Sequence, residues 1–348
     1  MQWLKTSLPL FLSLCIGFLG VMVLKVLHAP MPWLIGSLLA IIVASRFPAL
    51  PLSSPKRFSA PARAILGLVI GSAFKPEILH YLVDFLSSLL LIFPFVIVTT
   101  LGGMWYYMKI VKFDLHTAYF SAVPGGLLEM ATLAESFKLD LYKVVITQSS
   151  RLLFMVLLFP FIIEHVLHTS LRDRHMVTNS FAQSTVWELV GMFVLAFVGW
   201  RGAVKLKIPG GTLIGPMVLG AFAYGLGLIH TRPPTEVINL IQLILGTTVG
   251  FIFVGVTYKE MFKVLLQTLG YFMILVLISA GFIALVHGMS DFPLLSILLA
   301  FAPGGQAEMN LIAIVVGANL PYVALHHIVR LFLVMGIAPI LIRFVKKV

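Results

Sequence analysis

The feature of this sequence that most constrains its fold is a duplication within an apolar chain. Residues 122–130 read Ala-Val-Pro-Gly-Gly-Leu-Leu-Glu-Met, and 179 residues later 301–309 read Phe-Ala-Pro-Gly-Gly-Gln-Ala-Glu-Met. One offset holding across several separate segments predicts two copies of one unit. It also aligns Pro30, Leu34, Ile35 and Gly36 with Pro209, Leu213, Ile214 and Gly215, Gly67 and Gly71 with Gly246 and Gly250, Arg151 with Arg330, and Pro160 with Pro339.

The composition of the chain requires a lipid environment. Of its 348 residues, 60% are hydrophobic and 11% are charged, and the mean hydropathy is +1.05. Soluble domains carry about 25% charged residues because their surface faces water. The net charge of +11 comes from Lys and Arg scattered between apolar segments, which is typical of the positive-inside rule and does not indicate a nucleic-acid partner. The sequence therefore predicts an all-α polytopic membrane protein whose main partner is the lipid bilayer.

Each copy contains six apolar segments. We assign the first copy to residues 1–168, a polar linker to 169–183 and the second copy to 184–348. The N-terminal apolar segment lacks a small-x-small cleavage site and has a counterpart in the second copy, so we interpret it as a membrane helix rather than a signal peptide. The segments span roughly 8–27, 30–46, 60–80, 85–108, 116–137 and 142–167 in the first copy, and roughly 184–201, 208–229, 235–256, 263–287, 292–317 and 321–345 in the second.

The Pro-Gly-Gly triplets lie in the fifth segments and predict a broken or re-entrant helix at Pro124–Gly126 and at Pro303–Gly305. Proline lacks a backbone N–H, and interrupted backbone at membrane depth needs protein or a water-filled cavity around it. If neither segment crosses, seventeen Lys and Arg lie on the N-terminal side and five on the other, against thirteen and nine if all twelve cross. The stronger bias favours ten crossings, a cytoplasmic N-terminus and an inverted repeat. Failure of residues 30–46 and their counterpart to cross would also invert the copies.

Two glutamates at apparent membrane depth are candidates for chemistry. Glu129 and Glu308 each follow the last glycine of a triplet by three residues, in the first turn of the resuming helix. The helix dipole favours a carboxylate there, so capping is one interpretation. An ionisable group inside a membrane also marks a solute pathway. Arg151 and Arg330 lie in the sixth segments, and the simplest arrangement pairs each Glu with an Arg, either structurally or functionally.

The second copy adds polar groups near its triplet. Gln306 and Asn310 flank Glu308, and His326 and His327 stand where the first copy has a threonine and a glutamine, followed there by two serines. Histidine is a candidate proton carrier, although adjacent helical positions point about 100° apart, so at most one ring faces a shared site. A satisfied core histidine is the alternative. The predicted substrate- or ion-binding set is Pro124, Gly125, Gly126, Glu129, Gln148, Arg151, Pro303, Gly304, Gly305, Gln306, Glu308, Asn310, His326, His327 and Arg330.

The sequence does not indicate an enzyme or a cofactor. Glu164-His165-x-x-His168 has the helical spacing of metal ligands, but it adjoins the linker and has no counterpart in the second copy, so we predict no metal site. The single cysteine, Cys15, lies in an apolar run and excludes a disulfide framework. Nucleophile-elbow, P-loop and dinucleotide motifs are missing, so no catalytic residue is assigned.

Three motifs together resemble the AbrB family of duplicated bacterial membrane proteins. They are the paired Ala/Val-Pro-Gly-Gly-x-x-Glu-Met segments, the later arginine of each copy, and Ile-Pro-Gly-Gly-Thr-Leu-Ile-Gly-Pro-Met at 208–217. The likeness covers essentially the whole chain, and the first copy departs from it at Met31-Pro32-Trp33. It implies a multi-pass protein of the bacterial inner membrane, distantly similar to cation/proton antiporter and anion transporter folds. The family also carries labels of ammonia monooxygenase and of regulator of gene expression, but these residues offer neither a copper or iron ligand set nor a DNA-binding module.

The sequence thus predicts a secondary transporter or exporter of a small solute, with a midplane site at the two Pro-Gly-Gly breaks. Glu129 and Glu308 would bind a cation or proton, while Arg151 and Arg330 would keep them charged or bind an anionic substrate. A membrane sensor or regulator without transport is the competing class, and a membrane monooxygenase is the weaker alternative. Substrate, coupling ion and direction are not encoded in recognisable motifs. A homodimer is the assembly common among transporters of this shape.

Overall fold

The computed structural model describes residues 2–74, 78–137, 139–166 and 185–345. In this part of the chain the backbone forms fourteen α-helices and no strands, which confirms the all-α prediction. The helices are α1 Gln2–Val26, α2 Pro32–Ala44, α3 Lys56–Gly71, α4 Ile78–Tyr106, α5 Leu115–Ala122, α6 Leu127–Ser136, α7 Leu141–Val166, α8 Val186–Lys205, α9 Gly211–Gly225, α10 Thr235–Gly250, α11 Tyr258–Met289, α12 Leu294–Ala300, α13 Gln306–Val316 and α14 Leu320–Val345. A π-helical turn, Tyr107–Val111, continues α4, and a 3₁₀ turn, Phe251–Phe253, follows α10.

The helix bounds in the two halves follow the offset found in the sequence. Lys56 and Thr235 begin α3 and α10, and Leu141 and Leu320 begin α7 and α14, each pair 179 residues apart. Among the described residues each half contains seven helices rather than the six predicted segments. The extra helix arises because the fifth segment is divided into α5 and α6 in the first half and into α12 and α13 in the second.

Seven of the described helices are long and apolar enough to cross a membrane, so the chain is a membrane-embedded helical protein. Three shorter apolar helices, Pro32–Ala44, Gly211–Gly225 and Gln306–Val316, lie between them in sequence. The seven candidate spans are Leu8–Val26, Val83–Val111, Leu141–Glu164, Val186–Lys205, Thr235–Phe253, Tyr258–Met289 and Leu320–Ile337.

The chain folds into two compact units, and each takes helices from both copies. Unit 1 holds α1–α3 and α8–α10, and comprises Met1–Lys75, Val156–Met261 and Ile314–Gly317. Unit 2 holds α4–α6, α12, α14 and most of α7, α11 and α13. Its bounds are Pro76–Met155, Phe262–Ala313 and Ala318–Val348. The compact units therefore differ from the sequence repeats, which run along the chain one after the other.

In unit 1, helices of one copy pack on helices of the other in a reciprocal pattern. Helix α2 packs on α10, and α3 packs on α9. A Cβ added to Gly67 would overlap the carbonyl oxygen of Leu213, and one added to Gly246 would overlap the carbonyl oxygen of Leu34. These two contacts are equivalent at the 179-residue offset, as in an isologous interface. The paired glycines of the sequence thus let two backbones approach closely, a common device between membrane helices.

Unit 2 has an aromatic core that fixes the helices around the Pro-Gly-Gly segments. Helix α4 packs against α5 and α14, and α12 packs against α14. The rings of Phe95 and Phe301 meet edge to face at 5.4 Å, and those of Phe85 and Tyr322 at 5.2 Å. Such pairs add directional contacts to the burial of large apolar side chains. Both copies therefore contribute to one packed core, which holds all the described side chains of the predicted site.

Candidate functional site

The first Pro-Gly-Gly segment lies between two short helices. Helix α5 begins at the N-cap Asp114, whose carboxylate accepts a hydrogen bond from the Thr117 N–H at 3.0 Å, and ends at Ala122. Helix α6 begins after Gly126, so no helix covers 123–126. Pro124 lacks the N–H that a continuing helix would need. Glu129 is the third residue of α6, and its side chain lies outside the described part of the structure.

The second Pro-Gly-Gly segment repeats this arrangement and includes a described glutamate. Helix α12 ends at Ala300 and α13 begins at Gln306, with Glu308 in its first turn. Glu308 is 6% exposed, and its carboxylate folds back over Gly305, where an added Cβ would overlap Oε2. This position is the one that a helix N-terminus favours for a carboxylate. Capping therefore accounts for part of the placement of Glu308.

The methionine that ends each repeated motif packs on the first glycine of its triplet. A Cβ on Gly125 would press against the side chain of Met130, and a Cβ on Gly304 against that of Met309. Both methionines are fully buried. The Gly-x-x-x-x-Met spacing of the two motifs therefore has a local physical cause: the thioether side chain covers the non-helical backbone.

Each arginine of the sixth segments binds the backbone of the break in its own copy. Arg151 donates from Nη1 to the Val123 carbonyl at 3.2 Å and from Nη2 to the Gly125 carbonyl at 3.0 Å. Arg330 donates from Nη1 to the Ala302 carbonyl at 2.7 Å and from Nη2 to the Gly304 carbonyl at 2.5 Å. The two sets of acceptors are equivalent at the offset of the duplication. The guanidinium groups thus supply donors to carbonyls that have lost helical partners.

Gln148 and His327 occupy equivalent positions and bind equivalent carbonyls. Gln148 Nε2 donates to the Phe120 carbonyl at 2.7 Å, and His327 Nε2 donates to the Leu299 carbonyl at 3.0 Å. Arg330 Nη2 also donates to His327 Nδ1 at 2.7 Å. Because a guanidinium can only donate, this bond fixes the His327 tautomer that carries its proton on Nε2.

His326 points away from the break, as the spacing of adjacent helical residues requires. Its Nδ1 donates to the Tyr322 carbonyl at 2.8 Å, and its Nε2 meets the Ser88 hydroxyl of α4 at 3.0 Å. His327 therefore belongs to the site at the break, whereas His326 belongs to a neighbouring polar contact between α4 and α14.

The breaks of the two copies approach each other inside unit 2. Arg151 of the first copy interacts electrostatically with Glu308 and with Arg330 of the second. A Cβ on Gly305 would lie 3.1 Å from a methyl group of Leu152, the residue after Arg151. In addition, the Tyr271 hydroxyl of α11 donates to the Ala122 carbonyl at the end of α5 (149 residues earlier in the chain). The described charges of the site are thus two arginines and one glutamate.

Several polar atoms around the breaks have no hydrogen-bond partner among the described residues. The affected atoms are Ser121 Oγ, Gln148 Oε1, Arg151 Nε, Gln306 Nε2 and Asn310 Oδ1. All of these side chains except that of Gln306 are at most 2% exposed. Buried polar groups are nearly always paired in native proteins, and an unpaired one costs about 1–3 kcal/mol. The cluster therefore has unused capacity for a bound polar ligand, an ion or water.

The described contacts differ from the Glu–Arg pairing that the sequence suggested as the simplest arrangement. The hydrogen bonds of both guanidinium groups go to backbone carbonyls and to His327. Ser149 and Ser150, predicted to complete the polar patch, donate to carbonyls of their own helix. The sequence did not single out the polar neighbours Ser121, Tyr271 and Ser88, because no repeat or motif marks them.

Among the described residues, no group of three or more His, Cys, Asp or Glu side chains could hold a metal ion. The Glu164-His165-x-x-His168 motif falls only partly within this region, since the His165 side chain and all of His168 lie outside it.

The apolar helices and the buried polar cluster at two helix breaks define a polytopic helical membrane protein. The profile of the family described as "Transition state regulatory protein AbrB" matches residues 33–346, and the chain belongs to this AbrB family. It is 28% identical to "Uncharacterized protein YhjN" of Bacillus subtilis (strain 168), over 94% of this chain and 90% of the relative. It is 26% identical to "Putative regulator AbrB" of Escherichia coli (strain K12), over 99% of this chain and 97% of the relative.

Proposed function

We propose that this protein is a secondary transporter or exporter that moves a small solute through the site at its two helix breaks. The observation that carries the proposal is the cluster of buried polar atoms without partners, which lies where two helices are interrupted in a membrane-embedded unit. In secondary transporters, interrupted helices place helix termini and free backbone groups around a solute. A purely structural interruption would leave fewer polar groups unpaired, since each adds a free-energy cost.

In this proposal the charged residues have separate roles. Glu308 binds the coupling cation or proton, and Glu129 is its counterpart in the first copy. Arg151 and Arg330 hold the breaks open through the backbone carbonyls, as their hydrogen bonds support. The Nε of Arg151, which has no partner among the described residues, is the donor left for an anionic group of the solute. Electrostatic attraction between Arg151 and Glu308 couples occupancy at one break to the state of the other.

The wider context of the proposal follows from the sequence. We place the protein in the bacterial inner membrane with a cytoplasmic N-terminus, as an inverted repeat that acts without a cofactor or metal, is not an enzyme, and assembles as a homodimer. A sensor without transport is the second candidate, because a relative bears the printed name "Putative regulator AbrB". Both classes need a solute at the breaks, but only a transporter moves it across the membrane.

The test is a flux screen with purified protein in liposomes, under proton and sodium gradients and across a broad panel of metabolites. We expect at least one solute to be moved by the wild-type protein and not by Glu308→Gln. Glu260→Gln is the matched control, because Glu260 also lies in the first turn of a helix but is exposed and caps it through Thr257. Flux that is equal in the two variants would refute the role of Glu308, and no flux in any wild-type assay would favour the sensor.

A further inference from the structure

Unit 2 contains an apolar cavity that the site at the breaks does not account for. Its volume is about 400 Å³, and helices α4, α5 and α14 form its walls. Its α4 residues, from Val96 to Met104, lie near the middle of the candidate span Val83–Val111. Two more α4 residues on its wall, Ile97 and Leu101, are 53% and 60% exposed, so the cavity opens where the helix faces lipid. Cavities of roughly 300–1,000 Å³ are the size that small organic ligands occupy.

Two polar atoms interrupt this apolar wall, and neither has a partner among the described residues. They are Thr100 Oγ1 and His116 Nε2. Thr100 is 7% exposed, yet its hydroxyl does not bond to the preceding helical turn. The adjacent Thr99 shows the usual arrangement, since its hydroxyl donates to the Phe95 carbonyl at 2.7 Å. The unused hydroxyl of Thr100 therefore points to a hydrogen-bonding group that occupies the cavity.

The cavity also adjoins the first helix break. Val123, the first residue after α5, forms part of its wall, and the Val123 carbonyl accepts hydrogen bonds from Gln148 and Arg151. Tyr119, one turn earlier in α5, lines the cavity as well. A molecule in the cavity would therefore touch the same backbone that the buried arginine holds.

We propose that this cavity binds a small, mostly apolar organic molecule that carries one hydrogen-bonding group, such as a phenol or an indole. The apolar walls take the body of the molecule, and Thr100 and His116 bind its polar group. The acyl chain of a membrane lipid would fill the space but would leave both polar atoms unpaired at mid-membrane depth. That this molecule is also the transported solute rests on the proposed function, whereas its binding does not.

The binding test uses two photoreactive probes on the full-length protein in lipid nanodiscs. One probe is 5-azido-1-naphthol, and the other is 1-azidonaphthalene, which lacks the hydroxyl. After illumination, mass spectrometry of the peptides locates the label. We expect both probes to label peptides that contain Val96–Met104 or Leu115–Val123, with the naphthol labelling them at lower concentration.

Three variants separate a built site from a lipid-filled crevice. Thr100→Val and His116→Phe should each weaken naphthol labelling by roughly 5-fold, the equivalent of one hydrogen bond, and leave labelling by 1-azidonaphthalene unchanged. Thr99→Val, the neighbouring control, should change neither, and thermal unfolding of each variant verifies its folding. Equal labelling by the two probes that no variant alters, or no label on these peptides, would overturn the proposal.

The outcome is distinguishable from that of the proposed function. Labelling that depends on Thr100 in a protein without flux would refute transport but leave the cavity site standing. Flux of a solute that Thr100→Val and His116→Phe do not affect, together with no labelling, would refute the cavity site alone.

Discussion

Replacing Arg330 by methionine is expected to destabilise the protein more than the same replacement of Arg151. In the second copy three acceptors depend on Arg330: the carbonyls of Ala302 and Gly304, and Nδ1 of His327. All three belong to buried residues, and Arg330 is the donor that the structure gives each of them from a side chain. Its removal would therefore leave up to three buried acceptors without a donor.

The first copy is better protected against the equivalent change. Arg151 donates to the carbonyls of Val123 and Gly125, but Val123 also accepts a hydrogen bond from Gln148 Nε2 at 3.1 Å. Arg151→Met therefore leaves one acceptor without a side-chain donor, two fewer than Arg330→Met. At about 1–3 kcal/mol for each, the second variant should lose roughly 2–6 kcal/mol more stability than the first.

This comparison removes the largest uncertainty in such a substitution, which is the cost of burying the charge itself. Both variants delete one buried guanidinium and insert the same apolar side chain, so the desolvation contribution largely cancels between them. The measurement is reversible unfolding of each variant in mixed lipid–detergent micelles. An equal loss in the two variants, or a greater loss for Arg151→Met, would refute the view that the arginines act mainly through the break carbonyls.

Two further predictions concern how the units are held together. Gly67→Ala should cost about 1–3 kcal/mol in unfolding free energy, because its Cβ would meet the backbone of Leu213, whereas Gly202→Ala, with open space around it, should stabilise the protein by about 0.4–1 kcal/mol in the same assay. Asp114→Ala should cost about 0.5–2 kcal/mol by removing the cap of α5. Burial would raise the pKa of Asp114, but hydrogen bonds from Thr117 outweigh it and hold that pKa below its usual value, so the difference from wild type should persist above a pH of about 4 and fade in titrations below it.

The sequence is informative about the helix breaks because their cause is local. A proline followed by two glycines cannot continue a helix in the usual way, and the helices end at Ala122 and Ala300, just before these residues. The position of Glu308 in the first turn of the resuming helix follows from the same spacing.

The partners of the arginines could not be read from the sequence, because every residue has a carbonyl group. Only the fold shows that Arg151 and Arg330 reach the carbonyls of their own breaks rather than a carboxylate oxygen. For the same reason the sequence could not choose between the two histidines of α14, whose roles depend on what packs opposite. Ser88 lies opposite His326, and the Leu299 carbonyl lies opposite His327. The apolar cavity, too, is formed by helices that are distant in sequence.

The central claim is that the breaks line a pathway that opens to each side of the membrane in turn. Ser121→Cys in a Cys15→Ser background tests it without knowledge of the solute, because Ser121 is 1% exposed and its hydroxyl has no partner among the described residues. The control is Ser149→Cys, at a buried serine whose hydroxyl donates to the Val145 carbonyl. The measurement is labelling by a membrane-impermeant methanethiosulfonate in oriented vesicles, applied separately to each side. The account predicts that Ser121→Cys is labelled from both sides and Ser149→Cys from neither; labelling of Ser121→Cys from one side only, or from neither, would contradict it.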